Sequence, residues 1–448
     1  IIMENYKKIV ESVLDIAKKK GVQADCLLDT NSVLSLKSED QQLAEHKVSS
    51  SLVLGVRIIK DNKVGTSYSE SWDKDSINHM IDEAISFSKY TKEEPLEKID
   101  LVRSEYTDGT IDRIYQEDNT PLQEKIDFAY SLESEVKKID QAVKSTPYNN
   151  FSENEGQRIY GNHLGTLCGQ KSRSFSCFTS ALLEREGNQS MHYHASIART
   201  FKELNLKEVV DQSYYHANKL LATGPIKTGD YDIIFTTDEL SDLFGCFSGL
   251  FSGKAAMFDL NPWKDKIGQS LAVSDFTMID GPTLDRAYYY APYDDEGHRT
   301  KDCTLFENGK LNSFYHNSVT SKFFETENTF HGSRSPRGTL GVTGTNQMIK
   351  TSTTDEQAIR NDLYFEVIKM QGLHSGADSI SGNFSFGASG YLKEGDKVIT
   401  AVSGITISGN FFSLLKDIKQ IGNVSHATTS LDFFSPTIRF GGLRIAGS

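Results

Sequence analysis

Cysteine is sparse and scattered. The five residues Cys26, Cys168, Cys177, Cys246 and Cys303 form no C-x-x-C pair, which argues against a disulfide framework and a cysteine-rich zinc site. No apolar run approaches the roughly 20 residues that span a bilayer, so no membrane partner is expected. Positive charge is in deficit: 48 Lys and Arg face 61 Asp and Glu, a formal net charge of −13. That balance gives no support for binding a nucleic-acid backbone. Nucleotide and nucleophile motifs are missing too: there is no G-x-G-x-x-G, no P-loop and no G-x-S-x-G elbow. The nearest glycine–serine clusters, SGKAAM and SGITISG, have the wrong spacing and context. Neither HExxH nor HExxxH occurs, so the compact helical solution for a metal hydrolase is absent.

What is present is an ordinary folded composition. The 448 residues are 38% hydrophobic, with 25 Phe and 19 Tyr, enough for two or three domains with substantial cores. Residues 4–20 place Ile9, Val13, Ile16 and Ala17 at helical spacing and stop at a lysine run and Gly21. The start shows no signal-peptide pattern, so a cytoplasmic location is expected. SSSLVLGVRIIKDNKVGTSYSE reads as a hairpin turning at KDNK, and Asp73 opens a helix that buries Ile77, Ile81, Ala84 and Ile85. Residues 90–120 read as a connector. A helix begins at Pro121, and 140–200 reads as antiparallel strands with NEG (154–156) and REGN (185–188) as turns. The helix from Leu204 is expected to stop at Gly224.

After Pro225 a buried strand, Ile233–Phe235, enters DLFGCFSGLFSG (242–253), a helix-length run. Glycine costs a helix interior about 1 kcal/mol relative to alanine. Gly245, Gly249 and Gly253, four apart, therefore predict either a face against which something packs very closely or one from which a functional side chain is missing. From 264 onward short strands dominate, with helices expected around TTDEQAIR–NDL and after Asn410 through SLLKDIKQIG. The dense glycines of SISGNFSFGASG predict bulges or close backbone approach. The expected class is α+β: an N-terminal α/β sandwich-like domain (1–120), a strand-rich segment with flanking helices packed on it (121–224), and a large, mainly antiparallel β domain with a few helices (225–448).

Candidate chemistry is thin. His192 and His194 share a strand face and could ligate together or sit half-buried on a sheet. His374 and Asp378 lie in a loop, and Cys246 reads as a packing thiol. Asp294, Asp295, Glu296, His298 and Arg299 form the densest polar cluster, either a functional site or a solvated turn. Arg299, Arg334 and Arg337 could grip a carboxylate through their forked donors.

The glycine-marked series as a whole resembles the TldD/PmbA family, also described as modulators of DNA gyrase. The resemblance rests on Gly55-Val56-Arg57, Asn154-Glu155-Gly156, and Pro292 with Asp294-Asp295-Glu296-Gly297. It continues through Gly382-Asn383-Phe384-Ser385 with Gly387 and Gly390, the ISGN of 407–410, and the LRIAG of 443–447. It favours the PmbA (TldE) branch over TldD. TldD-like members are implied to be zinc peptidases with an HExxxH helix and a C-terminal cysteine ligand. Laid on this chain, Phe244, Gly245 and Gly249 occupy the histidine, glutamate and histidine positions, and no cysteine follows Cys303. The resemblance thus implies a non-metallated subunit of a peptide-degrading or peptide-processing complex. No zinc is expected in this chain, and a TldD-like partner would carry it. Asp294, Asp295, Glu296, His298, Arg299, Asn383 and Ser385 are then candidates for contact with a peptide substrate or partner. A self-sufficient hydrolase acting as a homodimer, or a non-catalytic scaffold, are the competing readings.

Overall fold

Amphipathic spacing makes the first helix, Ile2–Lys19, which buries Val10, Val13, Ile16 and Ala17. The computed structural model describes residues 2–102 and 106–447, so the connector read over 90–120 falls partly outside the described residues. Three antiparallel strands follow, Gln23–Glu39, Gln42–Lys60 and Lys63–Ser69. Asp61 and Asn62 turn the second hairpin at φ 53° and 57°, the left-handed pair a tight two-residue turn requires.

The strand Gln23–Glu39 pairs on its other edge with Asn149–Asn162, which pairs with Leu167–Arg185, and that with Asn188–Ala198. Residues on both sides of position 120 therefore build one eight-stranded sheet. The helices Ile2–Lys19 and Lys74–Ser88 pack on Leu28, Val56 and Ile159. Farther along, the helix Leu122–Ile139 packs on Phe151 and Phe175. At about 1.5–3 kcal/mol for each large side chain buried, these contacts hold the layers together.

The remainder folds around a ten-stranded, mostly antiparallel sheet. Gly229–Phe235 lies parallel to Leu363–Gln371 and antiparallel to Phe433–Ala446, the last strand of the chain. Asn383–Glu394 and Lys397–Asn410 form a long hairpin in the same sheet. An aromatic core that includes Phe244, Phe247, Phe251, Trp263, Phe276 and Phe411 fills one face. The chain is thus α+β with a large antiparallel β portion, as expected. The predicted close approach in the 379–390 glycine run is found at Gly390, where a side chain would collide with the Glu366 carbonyl, next to a register shift after Ala388.

Four local expectations are corrected. NEG is not a turn: Asn154–Gly156 sits mid-strand, paired with Val33–Asn31 and Arg173, because both flanks find sheet partners. The helix capped by Asn205 ends at Lys219, before Gly224. After Asn410, whose side chain caps Phe412 and Ser413, helix persists only for Phe411–Leu414. Ile418–Ala427 is a strand, drawn into the sheet by pairing with the last strand. Finally, 242–253 is not one helix. Thr237–Cys246 ends at Phe247, a 3-10 turn covers Ser248–Phe251, and a short helix restarts at Gly253 under a Ser252 cap. The weak helix propensity of glycine fits these breaks.

Candidate functional site

The glycines of this broken segment have two different surroundings. A side chain at Gly253 would lie 2.5 Å from His316 Nδ1 and 2.7 Å from the Tyr315 carbonyl, so close packing explains this glycine. At Gly245 and Gly249 an added side chain would meet nothing within 4 Å. Close packing therefore holds at Gly253 alone, while Gly245 and Gly249 border open space, and the three glycines do not share a helix. Gly245 and Gly249, with Ser241, Ser248 and Ser252, form one wall of a cavity of about 390 Å³. Tyr315, Val342–Thr345, Gln347 and Asp432 line it as well. Phe244 touches this cavity but is almost wholly buried, its ring packed edge-on against Phe411 and near Phe433.

The residues implied for zinc can be tested against this wall. It offers hydroxyls and bare backbone but no imidazole or thiolate, and Cys246 instead points its Sγ at the Leu373 carbonyl, 3.8 Å away. The residues present do not fit the family's catalytic zinc.

Polar chemistry gathers next door. A smaller cavity shares Thr343 and Thr345 with the first and is lined by Arg158, Asp294, Asp295 and His331. Between the two, buried Asp280 accepts hydrogen bonds from Tyr315 (3.1 Å), the Thr345 amide (2.7 Å) and the Thr345 hydroxyl, and pairs with His331 Nε2 at 3.1 Å. These contacts fix the Tyr315 ring that borders the larger cavity. Sequence reasoning missed Asp280, Tyr315 and His331, which lie up to 51 positions apart and converge only through the sheet.

The acidic cluster sits at the seam between the first sheet and the second. Asp295 accepts from Arg158 (2.8 Å) and the Arg334 amide (2.7 Å). Glu296 accepts from the Ser318 amide (2.9 Å) and the Ser318 hydroxyl. Asp294 Oδ1 accepts from the amides of Glu296 and His298. Burial and repulsion from Asp294 push Glu296 up to about 7, against Arg57 and the Ser318 donors. Burial alone would lower His298, but Asp294, whose Oδ1 lies 3.5 Å from Nδ1, and the surrounding carboxylates raise it. Such displacement is what burial and like charge produce.

The seam also explains two of the sequence motifs. Any side chain at Gly55 would collide with the Pro336 backbone. Two positions on, the fully buried Arg57 holds Asp25 at 2.5 Å and Glu97 at 2.7 Å. Gly297, at φ 83°, is pressed against Tyr160. Of the three arginines that could grip a carboxylate, Arg334 pairs with Asp25 through Nη2 and leaves Nε and Nη1 buried without a partner, Arg337 pairs with Glu70, and Arg299 is exposed to solvent. Asn383 and Ser385 are exposed at the start of their strand and line neither cavity. Asn383 accepts from Asn410 at 2.9 Å, joining the two glycine-rich motifs of 382–390 and 407–410. His192 and His194 line a separate cleft with His216, and among the described residues no third ligand joins them in a metal-binding group.

The chain is thus a two-sheet α+β fold with a cavity at a glycine-broken helical segment. Models of the PmbA/TldA metallopeptidase domain 1, central domain and C-terminal domain match residues 24–87, 115–221 and 228–447. The chain belongs to the PmbA/TldD family. It is 22% identical to the metalloprotease PmbA of Escherichia coli O157:H7, over 94% of this chain and 93% of that one. It is 23% identical to a zinc metalloprotease TldD homolog of Saccharolobus solfataricus, over 86% and 85%. Its fold matches a Thermotoga maritima protein described as a candidate modulator of a DNA gyrase, with TM-score 0.87, 24% identity and coverage of 98% and 100%. TldE from Thermococcus kodakarensis matches with TM-score 0.81 and 19% identity, covering both chains fully. Among the described residues, no helix is long and apolar enough to cross a membrane.

Proposed function

We propose that this chain is the non-metallated subunit of a two-subunit peptidase, supplying a wall of the substrate chamber while a TldD-like partner carries the zinc. The carrying observation is the cavity wall of Ser241, Gly245, Ser248, Gly249 and Ser252, open and without a nitrogen or sulfur ligand, in a chain of a metallopeptidase family. Small residues leave room for an extended peptide. The cavity-lining segment Val342–Thr345 is the candidate for main-chain pairing with it. Exposed Asn383 and Ser385 are candidates for partner contact.

The test is cleavage of an unfolded peptide by this chain alone, by a TldD-like subunit alone, and by the mixture. Turnover is expected only when the zinc-bearing subunit is present, and it should rise on mixing as the two associate. Peptide turnover by this chain alone, or failure of the two chains to associate, would sink the reading.

A further inference from the structure

Ion pairing at the seam is lopsided. Arg57 and Arg334 answer Asp25 and Glu97, and Arg158 answers Asp29 and Asp295. Among the described residues, no lysine or arginine forms an ion pair with Asp294 or Glu296, although both are buried. The Asp294 side chain is only 1% exposed, and His298 Nδ1 lies 3.5 Å from its Oδ1, an ion pair when the ring is protonated; Oδ2 has no hydrogen-bond partner. A second carboxylate oxygen left bare in such surroundings is costly unless a further positive group meets it.

Gly332 borders the same two carboxylates. A side chain at Gly332 would place its first carbon 3.0 Å from Glu296 Oε2 and 3.1 Å from Asp294 Oδ2. The glycine therefore leaves both oxygens facing a shared gap. The ligand atoms of Asp294, Glu296 and His298 all lie within 4.8 Å of one another.

We propose that Asp294, Glu296 and His298 bind one divalent transition-metal ion as a structural site. It is distinct from the family's zinc position at Phe244, Gly245 and Gly249, and independent of whether the chain acts in peptide cleavage. Two carboxylate oxygens and one imidazole nitrogen suit Zn²⁺ or Mn²⁺. The small cavity that Asp294 lines, about 60 Å³, has room for water to complete the shell. Because Glu296 also holds the amide and hydroxyl of Ser318, the ion would tie the 294–298 loop to the helix Ser318–Phe323. The expectation that this chain binds no metal would then hold for the catalytic position alone.

The experiment takes the full chain, stripped with a chelator, and titrates it with ZnCl₂ and MnCl₂ by calorimetry, with metal content measured after gel filtration. One ion per chain is expected, with a rise in thermal midpoint on loading. Asp294→Asn keeps the carbonyl that accepts the two loop amides, and His298→Ala alters a half-buried ring. Each should weaken binding about tenfold or more while circular dichroism stays unchanged. Absence of saturable binding would overturn the proposal, as would binding that neither variant weakens. So would an Asp294→Asn chain that is stabilised equally with and without metal, because a shared proton would then fill the gap.

Discussion

Two stretches some fifty residues apart in the chain treat charge in opposite ways. Along 241–252 the cavity wall is serine and glycine, without a group that can ligate a transition metal or take a proton near neutral pH. Along 294–298 three carboxylates and a histidine are packed at a buried seam. The first stretch lies where the family resemblance places chemistry, and the second where two sheets must be held together. Charge density alone is thus a poor guide to the reacting centre, because a seam between layers can gather as many titratable groups as an active site.

The sharpest way to break this contrast is at Arg57. If the seam is an architectural device, Arg57→Met leaves Asp25 with Arg334 alone and strands Glu97. Removing one partner of a buried pair costs about 3–5 kcal/mol, read as a fall in the urea midpoint. Restoring balance with Arg57→Met and Glu97→Gln together, which keeps Asp25 paired with Arg334, should recover part of the loss. A single variant that costs less than about 1 kcal/mol would show that the seam is held by something else.

The glycines sharpen the other side. Gly253→Ala must push on His316 and the Tyr315 carbonyl, an overpacking cost of about 1–3 kcal/mol. Gly245→Ala meets nothing and lies inside the helix Thr237–Cys246, so it should stabilise by up to about 1 kcal/mol through helix propensity. The two substitutions should therefore move the thermal midpoint in opposite directions. Equal destabilisation would restore the packed-face reading that the structure replaces.

That replacement shows what the sequence could and could not carry. Helices with strong periods, such as Ile2–Lys19, and turns with left-handed residues, such as Asp61-Asn62, were legible because their signals are local. The NEG tripeptide, the segment after Asn410 and the break at Phe247 were not, because sheet pairing and core burial outvoted local composition there. In the site, the 294–298 cluster was visible as a run of charges. Its partners Arg158, the Arg334 amide and Ser318 were not, because they arrive from three other places in the chain. Asp280, Tyr315 and His331 left no sequence signal, since each is an ordinary core residue until the sheet brings them together.

The helix Thr237–Cys246 borders a second cleft as well. Its first turns carry Asp238, Glu239 and Asp242 into the neighbouring cleft beside His192 and Lys369. Glu239 is the most enclosed of these acids, and burial, then repulsion from Asp242, pushes its carboxyl up to about 7 from the ordinary 4.5, although the Met370 amide donates to it. The folded chain therefore holds this proton where the unfolded chain has released it. Stability falls as pH rises from about 4.5 to about 7 and stays reduced above that window. With solvent screening in the open cleft, the loss is about 1 kcal/mol. Glu239→Gln retains an oxygen for the Met370 amide and removes the ionisation. Unfolding free energies measured at pH 4.5, 6 and 8 should show the variant gaining on the parent as pH rises. Parallel curves would mean that this carboxylate ionises normally in the folded chain.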